Sequence, residues 1–229
     1  WAVLNGAAVT YKLPAPIKVT APSVQASAVA SNGGNLQITA TAHGMTGGTV
    51  VGSSVYVSAG TGWTVGLYSI LSVDSVNTYT LNVARGTLGV PTVALANGTD
   101  ELTLLTMAGP PLLSSSSLTG SIGAECSGQN TNTKRIIFDF STARVFNANM
   151  SLLADFGVYG NFTVKNLGST SSQKTMMPVS IITGYSRLTS APVSSSINTA
   201  AAYSMYVRAI LGAANDIITL NEVDLMVRM

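Results

Sequence analysis

Few residues in this 229-residue chain could do chemistry, and their spacing argues against most of it. His43 is the one imidazole, so a Ser-His-Asp or Cys-His device would have to use it as base. It stands between Ala42 and Gly44, where a strand-like run stops, and a turn in which the ring hydrogen-bonds local backbone is the expected role. Cys126 follows Glu125 in a Gly/Ser-rich stretch with no cation beside it to favour a thiolate, so neither a reactive thiol nor an internal disulfide is expected. Glycan hydrolysis needs two carboxyl groups flanking one bond. The candidates are Asp139, Asp155, Glu222 and Asp224. Glu222 and Asp224 share a strand face with Arg228, as in a solvated or intersubunit ion pair, while Asp139 points away from Phe138 and Phe140 on either side of it. One histidine and no Asp/Asn-rich loop with a glycine leave nothing patterned as a metal site. No catalytic residue, cofactor or metal is therefore expected.

Binding chemistry has more to work with. Lys134-Arg135 is the one adjacent basic pair and the other cations are scattered, so the counterion release that drives nucleic-acid binding is missing, and the pair reads as a charged start of a strand. Rings that stack on sugars are a better candidate. Trp63, in a Gly-Thr-Gly-Trp loop, and Tyr206 are the candidate glycan contacts; Tyr203 and Tyr206 fall on opposite faces of one strand, so one of them points outward.

The elements that would position these groups are β-strands. Charged residues are 9% of the chain against roughly 25% in an ordinary soluble domain, and 27 serines and 26 threonines supply the wettable surface instead. Hydrophobic residues at 46% fill a core and exclude wholesale disorder; no apolar run reaches the length of about 18 residues that a spanning helix needs. Trp1–Thr10 has no basic stretch followed by an apolar block, so no signal peptide is expected. Residues 1–34, with Pro14, Pro16 and Pro22, read as an extended N-terminal arm, either laid on a partner or acting as a plain linker. Its deletion is expected to leave a folded protein that no longer attaches. From Leu36 to Met107, short alternating runs cut by Gly, Asn and Asp predict a small antiparallel β module over residues 35–107, closed by a last strand at Glu101–Met107. No charged residue occurs between Val19 and Val73.

Four strings in this module carry a resemblance: Ile38-Thr-Ala-Thr-Ala-His-Gly-Met, Val55-Tyr-Val-Ser-Ala-Gly-Thr-Gly-Trp, Gly66-Leu-Tyr-Ser-Ile-Leu-Ser-Val-Asp and Asn77-Thr-Tyr-Thr-Leu. Together, over residues 36–83, they resemble a β module recurrent in tailed-bacteriophage virion proteins, with Met45 where Leu is usual. The resemblance implies a structural role in a virion assembled in the host cytoplasm. A head decoration or head-fibre protein is the first reading, because the chain is short for a receptor-binding fibre. It also implies other virion proteins, capsid or tail, as partners and a homo-oligomer, with a trimer favoured. The alternative is a tail appendage that recognises host surface glycan. Nucleic acid and membrane are not expected partners, and an enzyme is not expected.

Residues 108–134, with Gly-Pro-Pro and four serines, read as a Gly/Pro/Ser-rich linker. Residues 135–229 then give five or more strands and a C-terminal β-sandwich of jelly-roll type, an all-β class overall. Ala143–Phe156 lacks a trustworthy stripe and reads as a loop with a short helical turn. In the last strand Val223, Leu225, Val227 and Met229 share one face while Ile218 and Leu220 are out of phase, which predicts a β-bulge near Asn221.

Overall fold

A computed structural model describes residues 2–4, 8–127, 131–149, 156–176, 179–181 and 193–228. In chain order the strands begin with β1 (Ala2–Leu4), β2 (Ala8–Lys12), β3 (Ile17–Val19), β4 (Ala28–Asn32) and β5 (Asn35–Thr39). One helical turn, α1 (Gly47–Val50), precedes β6 (Ser54–Ala59), β7 (Gly66–Ser75), β8 (Thr78–Ala84) and β9 (Thr92–Val93). Then come β10 (Leu102–Gly109), β11 (Ser117–Ser127), β12 (Lys134–Phe140), β13 (Ala143–Asn149) and β14 (Phe156–Asn166). The chain finishes with β15 (Gln173–Met176), β16 (Val179–Ile181), β17 (Val193–Ser195), β18 (Tyr203–Leu211) and β19 (Ile217–Arg228). The protein is all-β, and no helix among the described residues is long and apolar enough to cross a membrane.

A jelly-roll-like sandwich forms where the sheet path β17-β15-β14-β11-β19-β3 faces a four-stranded sheet ordered β10-β18-β12-β13. Ile136, Phe138 and Phe140 of β12 and Met205, Val207 and Ala209 of β18 meet Leu118, Ile122, Phe162, Val223, Leu225 and Val227 in one core. Phe138 and Phe162 touch across the layers at a ring separation of 4.4 Å. Fully burying side chains of this size stabilises by about 1.5–3 kcal/mol each, so alternation in β12, β18 and β19 is what fixes the sandwich. The expected bulge is present: Glu222 pairs with Gly123 and Leu220 with Ala124, so Asn221 is the extra residue that returns Ile218 and Leu220 to the core.

The small module is antiparallel β4-β5-β8-β7-β6 around its own core of Leu36, Ile38, Val55, Ile70, Tyr79 and Leu81. It joins the sandwich through the parallel contact of β3 with β6 at Val19 and Ser54.

Four sequence expectations are corrected. The N-terminal residues are extended, but β2 and β3 pair with β19, and Leu13, Val19 and Ala21 lie in the sandwich core. An extended backbone must pair its N–H and C=O groups, and the free side of β19 supplies partners within the same chain. The supposed linker contains β11, which pairs with both β14 and β19. Its small residues serve close packing: a Cβ on Gly120 would come within 2.5 Å of Leu225 and 2.9 Å of Phe162. Strand β10 does not close the module; it pairs with β18 at the edge of the four-stranded sheet and buries Leu102, Leu104 and Met107 in the sandwich core. Of the segment expected as loop and helical turn, Ala143–Asn149 is strand β13 and residues 150–155 lie outside the described residues.

Candidate functional site

His43 is fully buried in a turn whose flanking residues Ala42 and Gly44 both have positive φ, 57° and 77°. Nδ1 accepts from the Met45 N–H at 3.0 Å. An amide only donates, so the ring proton sits on Nε2, which donates to the Ser75 carbonyl at 3.0 Å. The ring also stands edge-on to Tyr79 at 5.4 Å. Both nitrogens are thus committed to backbone. Beyond φ, Gly44 is required by space, since a Cβ there would lie 3.0 Å from the Ala214 Cβ. The turn docks on the loop before β19, where Thr46 N–H donates to Asn215 Oδ1 at 2.8 Å and Thr20 Oγ1 donates to the Ala214 and Asp216 carbonyls at 3.0 and 2.9 Å.

Trp63 packs against the module core, its indole N–H donating to the Gly89 carbonyl at 2.9 Å and its ring lying edge-on to Tyr68 at 4.8 Å. Gly60 makes room for it, because a Cβ would come 2.6 Å from Trp63 Cδ1. Tyr203 is buried and burial pushes its hydroxyl pKa up, whereas Tyr206 is half-buried on the outer face of β18. The Arg208 guanidinium lies 4.7 Å from the centre of the Tyr206 ring and occupies one face. Trp63, in the loop between β6 and β7, and Tyr206, on β18 of the four-stranded sheet, are therefore not brought together.

The carboxylates also separate. Asp139 does face away from the aromatic pair, and is 4% exposed within a ring of charges. Its Oδ1 accepts from Arg144 Nε at 3.0 Å, and its Oδ2 accepts from Arg208 Nη1. Both guanidiniums reach on to Glu101, at 2.8 Å from Arg144 and 3.3 Å from Arg208. Hydrogen bonding to Asp139, with Glu101 behind it, raises the Arg144 pKa against partial desolvation. Glu222 and Asp224 lie on the other sheet, where they form no ion pair with Arg228 among the described residues. Asp155 lies outside the described residues. Lys134 does start strand β12, but it is fully buried with Asp216 at 3.4 Å, and no sequence feature had singled out Asp216. Among the described residues no three His, Cys, Asp or Glu side chains converge as metal ligands would.

One concave site was missed. A cleft of about 670 Å³ crosses the outer face of β3, β19, β11 and β14. Register places Lys18, Thr219, Glu125 and Gly157 in one row and Glu222, Gly123 and Tyr159 in the next, with the bulged Asn221 between them. Gly123 and Gly157 give it a backbone floor; a Cβ on Gly123 would contact Glu222 Cβ at 3.3 Å and Tyr159 Cδ2 at 3.5 Å. The sequence did show strands across residues 135–229 and a bulge near Asn221. With β11 taken for linker, nothing could align Glu125 and Gly123 beside them.

No family model matches the chain and no curated protein matches it. Solved structures that resemble it include peanut lectin with a nonamer peptide, at 9% identity and a TM-score of 0.30, covering 96% of this chain and 97% of the lectin. Arcelin-5, a lectin-like defence protein from Phaseolus vulgaris, gives 7% identity and 0.30, covering 98% and 100%. The CBM2 module of an evolved Dit from Lactobacillus casei BL23 phage J-1 gives 6% identity and 0.31, covering 91% and 97%. At these values the likeness is one of β architecture alone.

Proposed function

We propose that this chain is a non-catalytic structural component of a tailed-phage virion, a head decoration or head-fibre protein, held in place by its small β module. One observation carries the reading besides the sequence resemblance of residues 36–83. Eight large hydrophobic side chains are exposed among the described residues, and five of them, Val51, Val65, Leu71, Val76 and Val90, belong to the module, with Val76 73% and Val65 56% exposed. Residues 51–84 contain a single charge, Asp74, and its carboxylate is occupied by Ser72, Gln37 and Thr80. Exposed apolar groups in a stretch this poor in charge favour burial against another protein. A standard interface of roughly 1,600 Å², at about 25 cal/mol per Å² of apolar area, supports stable attachment after ordering costs are met.

The test is particle binding by the double variant Val65→Asp/Val76→Asp. Loss of binding with unchanged circular dichroism supports the reading, and full binding overturns it. A homotrimer is expected, read as a native mass three times the 23.5 kDa chain. A tail appendage is the alternative position, and imaging the protein on particles separates the two.

A further inference from the structure

We infer that the cleft on the outer face of β3, β19, β11 and β14 is a binding site for a neutral saccharide. This goes beyond virion attachment and does not depend on it, since the cleft and the exposed apolar side chains of the module are different surfaces.

Most of the polar side chains that line the cleft are available to a ligand. Among the described residues Lys18, Glu125, Tyr159, Asn221 and Thr219 make no side-chain hydrogen bond or ion pair, and of the Glu222 carboxylate only Oε1 is engaged, by Ser121 Oγ at 2.7 Å. This contrasts with Asp139, Glu101, Arg144 and Arg208, which satisfy one another. Lys18, Glu125 and Asn221 are exposed, while Tyr159, Glu222 and Thr219 are half-buried along the walls.

Size, shape and charge select the ligand class. About 670 Å³ lies within the range of roughly 300–1,000 Å³ for small-molecule sites, and a shallow trough across four strands suits a short chain of flat rings better than a deeply enclosed cofactor. The glycine floor lets a ring lie on the backbone. Tyr159 beside it offers an aromatic surface for sugar C–H groups and a hydroxyl at its rim. Carboxylates accept hydroxyl protons in short charge-assisted bonds, and Lys18 and Asn221 donate to ring and hydroxyl oxygens. Two carboxylates against one ammonium repel phosphate, sulfated and uronic ligands, which leaves uncharged sugars. The bulge has a part in this: by taking Asn221 out of pairing it puts an amide at the cleft that a regular strand would not place there.

The experiment uses the full purified chain on an array of neutral and acidic bacterial oligosaccharides, followed by calorimetric titration with the best neutral binder. Dissociation constants of millimolar or tighter for neutral glycans are expected. Glu125→Gln, an exposed change that preserves shape, and Tyr159→Ala should each weaken binding by about tenfold or more, which corresponds to about 1.4 kcal/mol. Thermal melts of both variants check that the fold is intact, and Glu125→Gln still decides the matter if Tyr159→Ala is destabilised. Silence on all neutral glycans, preference for a basic peptide, or binding indifferent to Glu125→Gln but abolished by Trp63→Ala or Tyr206→Ala each overturns the inference. Particle binding by the Glu125→Gln protein should stay at the wild-type level, so failure here and failure of the attachment reading give different results.

Discussion

Replacing Lys134 by Met tests the energetics of the core directly. Lys134 and Asp216 have no exposed side-chain surface, and their charged atoms stand 3.4 Å apart. At an effective dielectric constant of about 20 the attraction at that distance is about 5 kcal/mol, which is offset by a desolvation penalty of several kcal/mol for each ion. The intact pair is thus worth little net, yet removing one partner takes from the other its opposite charge. Asp216 Oδ2 would still accept from the Ala213 N–H at 3.0 Å, but its charge would lose Lys134. Lys134→Met should cost about 3–5 kcal/mol, which for a chain of this size lowers the melting temperature by about 6–20 °C. The double variant Lys134→Met/Asp216→Leu should recover most of that loss. Urea unfolding of the wild type, both single variants and the double variant closes the cycle. A Lys134→Met cost below about 1 kcal/mol, or a double variant as unstable as the sum of the singles, would refute the account of a dry, mutually dependent pair.

Deleting residues 1–21 removes β2 and β3 from β19 and takes Leu13, Val19 and Ala21 out of the core, so the truncated chain should lose its cooperative thermal transition; a truncated protein that melts like the wild type would contradict this. Partial burial pushes the Asp74 pKa up, but hydrogen bonds from Ser72, Gln37, Thr80 and Asn32 outweigh it and hold the carboxyl below the usual aspartate value. A folded pKa below the unfolded one gives stability that is present above about pH 4 and lost as pH falls through the folded value, so Asp74→Asn should reduce the acid sensitivity of urea unfolding in that range, and an unchanged pH profile would remove Asp74 from the account.

Sequence alone determined the features that depend on neighbours two residues apart. Alternation placed Phe138 and Phe140 inward and Asp139 outward, gave the module strands, and located the bulge at Asn221 from the phase break between Leu220 and Val223. The Ala-His-Gly string marked a turn where a strand-like run stops, and positive φ on both sides of His43 is what ends the strand there. Partner choice was not local. Whether residues 8–19 lie on another molecule or on β19, and whether β10 closes the module or edges the sandwich, depends on which strand edge is free after the rest has folded. Composition misled at β11, where Gly120 is small because Leu225 and Phe162 fill the space beside it, so a packing requirement had the look of a linker. The union of Lys134 with Asp216, and of Lys18, Glu125, Tyr159 and Asn221 around one cleft, likewise joins residues far apart in the chain through register across strands, and register is settled by the tertiary fold.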